Sequence, residues 1–72
     1  MEGKVKWFND RLGYGFIETE GIEKDIYIHY SDIKRDGYKT LKPEQNVIFD
    51  YVEENNKAVN LKIVPKKYKF LK

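Results

Sequence analysis

The sequence predicts a small all-β domain, either a closed barrel or a sandwich of two sheets. Strand-length runs rich in β-branched and aromatic residues are separated by polar or glycine-containing turns. No window shows an apolar 3.6-residue period over two full turns, so no long helix is expected. With 72 residues the chain has room for one hydrophobic core, and hence for one domain.

The predicted strands are short and follow one another closely along the chain. They cover residues 4–8, 14–19, 25–30, 47–52 and 58–64. Ser31 and Asp32 are residue types that commonly begin helices, so they predict a single helical turn after the third strand. Pro65 cannot donate a strand hydrogen bond and is expected to end the fifth strand. The predicted domain therefore comprises residues 1–64, followed by a basic tail at 65–72.

Apolar residues alternate along the predicted strands, which assigns one face of each strand to the interior. The residues expected to fill the core are Val5, Ile17, Ile26, Ile28, Val47, Phe49, Tyr51, Val59, Leu61 and Ile63. The opposite positions are then expected to face solvent.

The composition argues against several classes of protein. The chain has no cysteine and a single histidine, His29, so disulfides, metal centres and bound cofactors are not expected. No Ser-His-Asp grouping, paired-carboxylate site or phosphate-binding loop is visible, so neither an enzyme nor a small-molecule substrate is expected. The first residues do not resemble a signal peptide, and no apolar run approaches ~18 residues. The protein is therefore expected in the cytoplasm, without membrane contact.

The formal net charge of +2 is distributed unevenly. Residues 1–61 carry nine Lys and Arg against twelve Asp and Glu, a net charge of −3, whereas the last eleven residues carry five Lys and no acid. A net negative charge on residues 1–61 is unfavourable for binding nucleic acid by electrostatic attraction alone. Affinity for nucleic acid would have to come from stacking, from locally placed cations or from the tail.

The solvent-facing positions of the second and third predicted strands hold rings. Tyr14 and Phe16 occupy them on strand two, and Tyr27 and His29 on strand three. Neighbouring elements add Lys6, Trp7, Tyr30 and Tyr38. A protein seldom exposes so many rings on adjoining strands without a partner. Nucleic-acid bases stack on such rings with a gain of about 1–3 kcal/mol each, so stacking would outweigh the scattered lysines.

Two glycines flank Tyr14 at positions 13 and 15. Glycine inside a strand costs about 0.5–1 kcal/mol relative to alanine, so its presence calls for a reason. We interpret Gly13 and Gly15 as bare backbone that lets a flat base approach the rings.

The motifs that contain these residues resemble those of bacterial cold-shock proteins. GKVKWFN at 3–9 and GYGFI at 13–17 resemble the opening of that family, and DIYIHY at 25–30 resembles its second ribonucleoprotein-type motif. GYKTL at 37–41 and AVNL at 58–61 are similar to later landmarks. The resemblance implies an oligonucleotide-binding (OB-fold) barrel of five antiparallel strands that binds single-stranded RNA and DNA, acting as a nucleic-acid chaperone or as a regulator of transcription or translation. It gives no reason to expect more than a monomer.

The resemblance also implies a set of binding residues. These are Lys6, Trp7, Phe8, Asn9, Tyr14, Phe16, Asp25, Tyr27, His29, Tyr30, Tyr38 and Lys39. The rings expected to stack on bases are Trp7, Phe16, Tyr27, His29, Tyr30 and Tyr38. Lys6 and Lys39 are expected to meet phosphates, and Asn9 and Asp25 to hydrogen-bond base edges.

The chain departs from the family at two places that concern binding. Leu12 stands where a lysine is usual, which removes one expected phosphate contact. The turn at 53–57 is short and acidic and lacks the usual Gly-Pro loop, so contacts through that loop are in doubt.

The exposed rings also allow other interpretations of function. A protein-interaction barrel would also explain exposed rings, by receiving a peptide or by pairing with itself, but not their alternation with Lys6, Lys39 and the strand glycines. An RNA-recognition motif does not fit, because it needs two helices and places its glycine-rich motif after the other aromatic motif, the reverse of the order here.

Two parts of the chain allow more than one placement. Phe8 could turn inward and close one end of a barrel. The tail at 65–72 is either a solvated terminus or an arm that extends the binding surface.

Overall fold

A computed structural model describes residues 1–35 and 39–64. Five strands form a closed barrel in the order β1-β2-β3-β5-β4, and β4 returns to pair with β1. The strands are β1 (Glu2–Asn9), β2 (Tyr14–Thr19), β3 (Ile22–His29), β4 (Asn46–Val52) and β5 (Lys57–Ile63). The pairings are antiparallel except for a single parallel contact between β3 and β5, where Tyr27 lies opposite Lys57. The predicted five-stranded all-β barrel is confirmed.

A single 3₁₀ turn follows β3 at Tyr30–Asp32, close to the predicted position. His29 begins it by accepting a hydrogen bond at Nδ1 from the Ser31 amide. No helix in the described part of the chain is long and apolar enough to span a bilayer.

The core is built from one face of all five strands and from two residues of the connections. The buried apolar residues are Val5, Ile17, Ile26, Ile28, Ile33, Leu41, Val47, Phe49, Ala58 and Leu61. Ile33 and Leu41 were not predicted because they belong to the long connection between β3 and β4 and follow no strand alternation. Ile33 joins the barrel wall through a parallel bridge to Leu61.

The prediction of Val59 as a core residue was wrong. Ile48 on β4 lies opposite Lys62 on β5, and Asp50 lies opposite Val59. One residue of β4 separates the two pairs but two residues of β5 do, so β5 contains one extra residue here. Asn60 has φ 53° within this bulge, and its Nδ2 donates to Asp50 Oδ2 at 3.1 Å. The bulge shifts the alternation, and Ala58 and Leu61 face the interior while Val59 is only half-buried. Tyr51 and Ile63 are also half-buried and pack against the core.

A second bulge lies in β1. Val5 pairs with Ile17 and Trp7 pairs with Phe16, so Lys6 is the extra residue between them. Regular alternation would place consecutive side chains on opposite faces, but here Lys6 and Trp7 are both exposed while Val5 is buried. The bulge therefore presents a cation and a ring on the same side of the barrel.

Candidate nucleic-acid interface

The strand register brings the predicted rings together on the outer surface of β1, β2 and β3. Trp7 lies opposite Phe16, and Phe16 lies opposite Tyr27, so three rings form a row across the three strands. Tyr14 lies opposite His29 in the next row along. We call Trp7, Tyr14, Phe16, Tyr27, His29 and Tyr30 the aromatic face. No ring of this face is among the core residues; they are half-buried or exposed.

Four of these rings contact one another, one pair by stacking and the others by an edge. The centroid of Trp7 lies 5.3 Å from that of Phe16 and 5.6 Å from that of Tyr14, both in edge-to-face geometry. Tyr27 is 5.9 Å from Phe16 and stacks at 29° on Tyr14, 5.7 Å away. Such contacts restrict the rings before any ligand arrives. Trp7 remains 41% exposed, which leaves ring surface available for a stacked base.

His29 and Tyr30 form the other part of the aromatic face. Their ring centroids are 4.5 Å apart, and Tyr30 is 48% exposed. His29 Nδ1 accepts from the Ser31 amide at 3.2 Å and lies 2.8 Å from Ser31 Oγ. Because Nδ1 is an acceptor, the neutral ring carries its proton on Nε2. The 3₁₀ turn therefore fixes both the tautomer and the orientation of this imidazole.

The two glycines beside Tyr14, Gly13 in the turn and Gly15 in β2, have a different role from the one predicted. A Cβ at Gly15 would lie 2.2 Å from the Trp7 carbonyl oxygen and 2.7 Å from Phe8 Cα, so this glycine allows β1 and β2 to approach closely. Gly13 has φ +79°, and a Cβ there would lie 2.6 Å from the Tyr30 ring. Both glycines are buried, so neither offers open backbone to a base. Gly13 instead allows Tyr30 to lie over the turn.

Three of the polar residues predicted to contact nucleic acid, Lys6, Asn9 and Asp25, have hydrogen-bond partners within the barrel. Lys6 Nζ lies 3.2 Å from Asp25 Oδ2, and both side chains are exposed. Asn9 Oδ1 accepts from the Leu12 amide at 2.9 Å, and the Asn9 carbonyl accepts from the Gly13 amide at 2.7 Å. Lys6 and Asp25 therefore lie together beside the rings, whereas Asn9 shapes the turn between β1 and β2.

The remaining predicted binding residues, Phe8, Lys39 and Tyr38, are not part of the aromatic face. Phe8 is half-buried and packs against the core, which is the inward alternative considered from the sequence. Lys39 is exposed, and it lines a shallow groove with Ser31, Lys34 and Arg35 beyond Tyr30. The prediction for Tyr38 falls outside the described residues, as does that for the tail at 65–72.

The two ends of the aromatic face differ in charge. At the His29–Tyr30 end, Ser31 of the 3₁₀ turn lines a groove with three cations, Lys34, Arg35 and Lys39. At the opposite end, Glu18 continues the outward line of Tyr14 and Phe16 along β2. Glu2 and Glu20 line a groove with it, together with one cation, Lys4, which lies opposite Glu18 on β1. Sequence reasoning did not single out Lys34 or Arg35. Their position in the sequence could have indicated them, because they come shortly after the single helical turn that follows the ring-bearing third strand.

Comparison with known proteins identifies the family. The profile of the 'Cold-shock' DNA-binding domain matches residues 1–65. The chain belongs to the cold-shock domain family. Cold shock-like protein CspB of Bacillus cereus is 56% identical over 55 residues, which cover 76% of this chain and 83% of that protein. Cold shock-like protein CspD of Haemophilus influenzae is 46% identical over 63 residues, covering 88% of each chain.

The resemblance read from the sequence is thereby confirmed. Cold shock protein CspD of Bacillus subtilis is a third relative, 53% identical over 55 residues, covering 76% of this chain and 82% of that protein. Among solved structures, Drosophila Unr CSD456 matches with a TM-score of 0.75 at 16% identity, covering 96% of this cold-shock domain and 28% of that chain. This last similarity supports the fold alone. Membership of the cold-shock domain family supports nucleic-acid binding, and it is a family of binding proteins and not of enzymes.

Proposed function

We propose that this cold-shock domain binds single-stranded RNA and DNA by stacking unpaired bases on its aromatic face. The observation that carries the proposal is the cluster of Trp7, Tyr14, Phe16 and Tyr27, whose rings contact one another on the outside of the barrel. The tyrosine hydroxyls reduce the cost of leaving these rings in contact with water, and they can hydrogen-bond a base.

Single strands fit this surface better than duplexes because bases in a duplex are already stacked and paired. Each unpaired base gains about 1–3 kcal/mol on an aromatic side chain, with little dependence on its identity. Occupying the face with unpaired bases prevents the strand from pairing with itself. We therefore infer a role as a nucleic-acid chaperone or as a regulator of transcription or translation, carried out by a monomer in the cytoplasm.

Phosphate contacts contribute the smaller share of the affinity. Lys6 is adjacent to Trp7 on β1, and its Nζ lies 3.2 Å from Asp25 Oδ2. Lys39 lies beyond Tyr30 with Lys34 and Arg35. For single strands, the logarithm of the binding constant falls with the logarithm of salt concentration by about 0.7 per phosphate neutralised. About three phosphate contacts then give a slope near −2.

Tryptophan fluorescence tests the proposal directly, since Trp7 is the only tryptophan in the chain. Titration with oligo-dT should quench Trp7, and a duplex of equal length should do so only weakly. Phe16→Ala should weaken oligo-dT binding by at least ~1 kcal/mol with the barrel retained. Ile48→Ala is the control, because Ile48 is 39% exposed on β4, away from the aromatic face. Equal affinities for Phe16→Ala and wild type would contradict stacking on this face.

The alternative, a peptide-binding or self-pairing barrel, predicts a different result. A peptide-binding module would show no oligo-dT quenching, and a self-pairing one would show a concentration-dependent Trp7 signal without nucleic acid. Membership of the cold-shock domain family favours nucleic acid over either.

A further inference from the structure

Asn56 lies in the turn between β4 and β5 and belongs to none of the predicted binding positions. Its backbone is left-handed, with φ 52°. Asn56 Oδ1 accepts from the Tyr51 hydroxyl at 2.7 Å, and Asn56 Nδ2 donates to the Asp25 carbonyl at 2.7 Å. The Asn56 carbonyl accepts from the Tyr27 amide at 3.1 Å. One residue thus joins the turn to β3 through both its side chain and its main chain.

The two bonds to β3 lie on either side of the buried Ile26. One ends on Asp25, whose carboxylate pairs with Lys6, and the other ends on Tyr27, whose ring contacts Tyr14 and Phe16. Tyr27 also lies opposite Lys57 in the parallel pairing that closes the barrel between β3 and β5. Asn56 is therefore located where the barrel closes between β3 and β5, hydrogen-bonded to the main chain of two residues of the candidate interface.

We propose that Asn56 is a positioning residue for nucleic-acid binding, held in orientation by Tyr51. This inference rests on the proposed function. The amide of Asn56 has one oxygen and one nitrogen, and the hydroxyl of Tyr51 occupies the oxygen. The nitrogen is then directed at the Asp25 carbonyl, which fixes the segment from Asp25 to Tyr27.

The physical consequence concerns preorganisation. A ring that is already ordered loses less conformational freedom when a base stacks on it, so more of the stacking energy appears as affinity. Without the Asn56 side chain, the carbonyl of Asp25 would bond to water and the segment would have to be ordered during binding. The loss should therefore appear in affinity, although Asn56 itself touches no ligand.

The chain offers a matched control for this test. Asn60 also has a left-handed backbone, with φ 53°, and its Nδ2 also donates one hydrogen bond, to Asp50 Oδ2 on β4. Asn56→Gly and Asn60→Gly each keep the backbone conformation and each remove one side-chain amide. Only the first removes a bond to the segment that carries Tyr27.

The experiment measures oligo-dT affinity by Trp7 quenching for wild type, Asn56→Gly and Asn60→Gly, at a temperature well below all three melting temperatures. Asn56→Gly loses its side-chain bonds to both Tyr51 and Asp25. We expect it to bind about 3- to 10-fold more weakly, as for the loss of the single bond to the segment that carries Tyr27. Asn60→Gly should bind within about twofold of wild type, even if its melting temperature falls equally. Should Asn56→Gly fail to fold, Tyr51→Phe supplies the second test, with a smaller loss of affinity expected.

Equal affinities for Asn56→Gly and Asn60→Gly would overturn the inference, because the role of Asn56 would then be structural only. If Asn56→Gly does not fold and Tyr51→Phe is tested in its place, an affinity of Tyr51→Phe equal to that of wild type would also overturn the inference. Both results leave the proposed function intact, since wild type would still bind. Absence of quenching in wild type would instead overturn the proposed function, and this inference with it.

Discussion

Lys6 and Leu12 illustrate how single residues set the charge of the interface. Lys6 is partly neutralised by Asp25 before any phosphate approaches, since the two groups lie 3.2 Å apart. Leu12, which replaces the lysine usual in the family, is 63% exposed in the turn between β1 and β2. Both features reduce the number of free cations near the rings. The interface should therefore depend on salt less than one with two free lysines.

Leu12→Lys should restore a phosphate contact. The log–log salt slope of oligo-dT binding should become more negative by about 0.7, and affinity in low salt should rise. Leu12→Gln is the control, because it changes the polarity of the side chain without adding charge. A salt slope equal to that of wild type would contradict a phosphate contact at this position.

At the scale of the strands, the bulges and glycines decide which side chains meet. The β1 bulge at Lys6 places a cation beside Trp7, and the β5 bulge at Asn60 moves Ala58 and Leu61 into the core. Gly15 lets β1 lie close to β2, where Trp7 and Phe16 pair. The pairing of Trp7 with Phe16 therefore depends on a close approach of β1 and β2 that only a residue without a Cβ allows at position 15.

Gly15→Ala should destabilise the barrel strongly. The new Cβ would meet backbone atoms of Trp7 and Phe8, which cannot rotate away, so a loss of about 3 kcal/mol or more in the free energy of unfolding is expected. Gly21→Ala is the control: Gly21 has φ +88° but nothing within 4 Å of an added Cβ, so only a backbone cost of about 1–2 kcal/mol applies. Urea denaturation measures both. Equal losses would show that the close approach at Gly15 is unimportant.

Over the whole molecule, the aromatic face runs between ends of opposite charge. Glu2, Glu18 and Glu20 lie in a groove at one end, where Lys4 offsets part of their charge, and Lys34, Arg35 and Lys39 line a groove with Ser31, the residue after Tyr30, at the other. A bound strand carries a phosphate at every nucleotide, so the acidic end repels it while the basic end attracts it. We expect the bound strand to extend past Tyr30 and to end near Phe16 and Trp7.

Glu18→Gln should therefore strengthen oligo-dT binding by about 2- to 3-fold in low salt, and this gain should shrink at high salt, where charges are screened. Asp50→Asn is the control, since it removes one negative charge from β4, a strand that carries no ring of the aromatic face. Oligo-dT titrations of both variants at two salt concentrations distinguish the effect of a charge close to the rings from the effect of the net charge of the protein. An equal gain in Asp50→Asn would show that only the net charge matters.

Much of the fold and of the candidate site could be predicted because it is encoded locally. Alternation of apolar residues is a property of each strand alone, and it identified Val5, Ile17, Ile26 and Ile28 as core residues. The aromatic motifs are contiguous in the sequence, so the rings on β2 and β3 could be assigned to one surface before their distances were known. The tail at 65–72 and the monomeric state stay predictions.

The number of strands, the all-β class, the family and the ring-bearing residues could all be assigned from the amino-acid sequence. The bulge at Asn60, the burial of Gly13 and Gly15, the Lys6–Asp25 ion pair and the contact of Asn56 with Asp25 became apparent only in the folded barrel. The last two join residues 19 and 31 positions apart. Strand alternation carries no information about such pairs, because they arise only when strand register and barrel closure bring distant segments together.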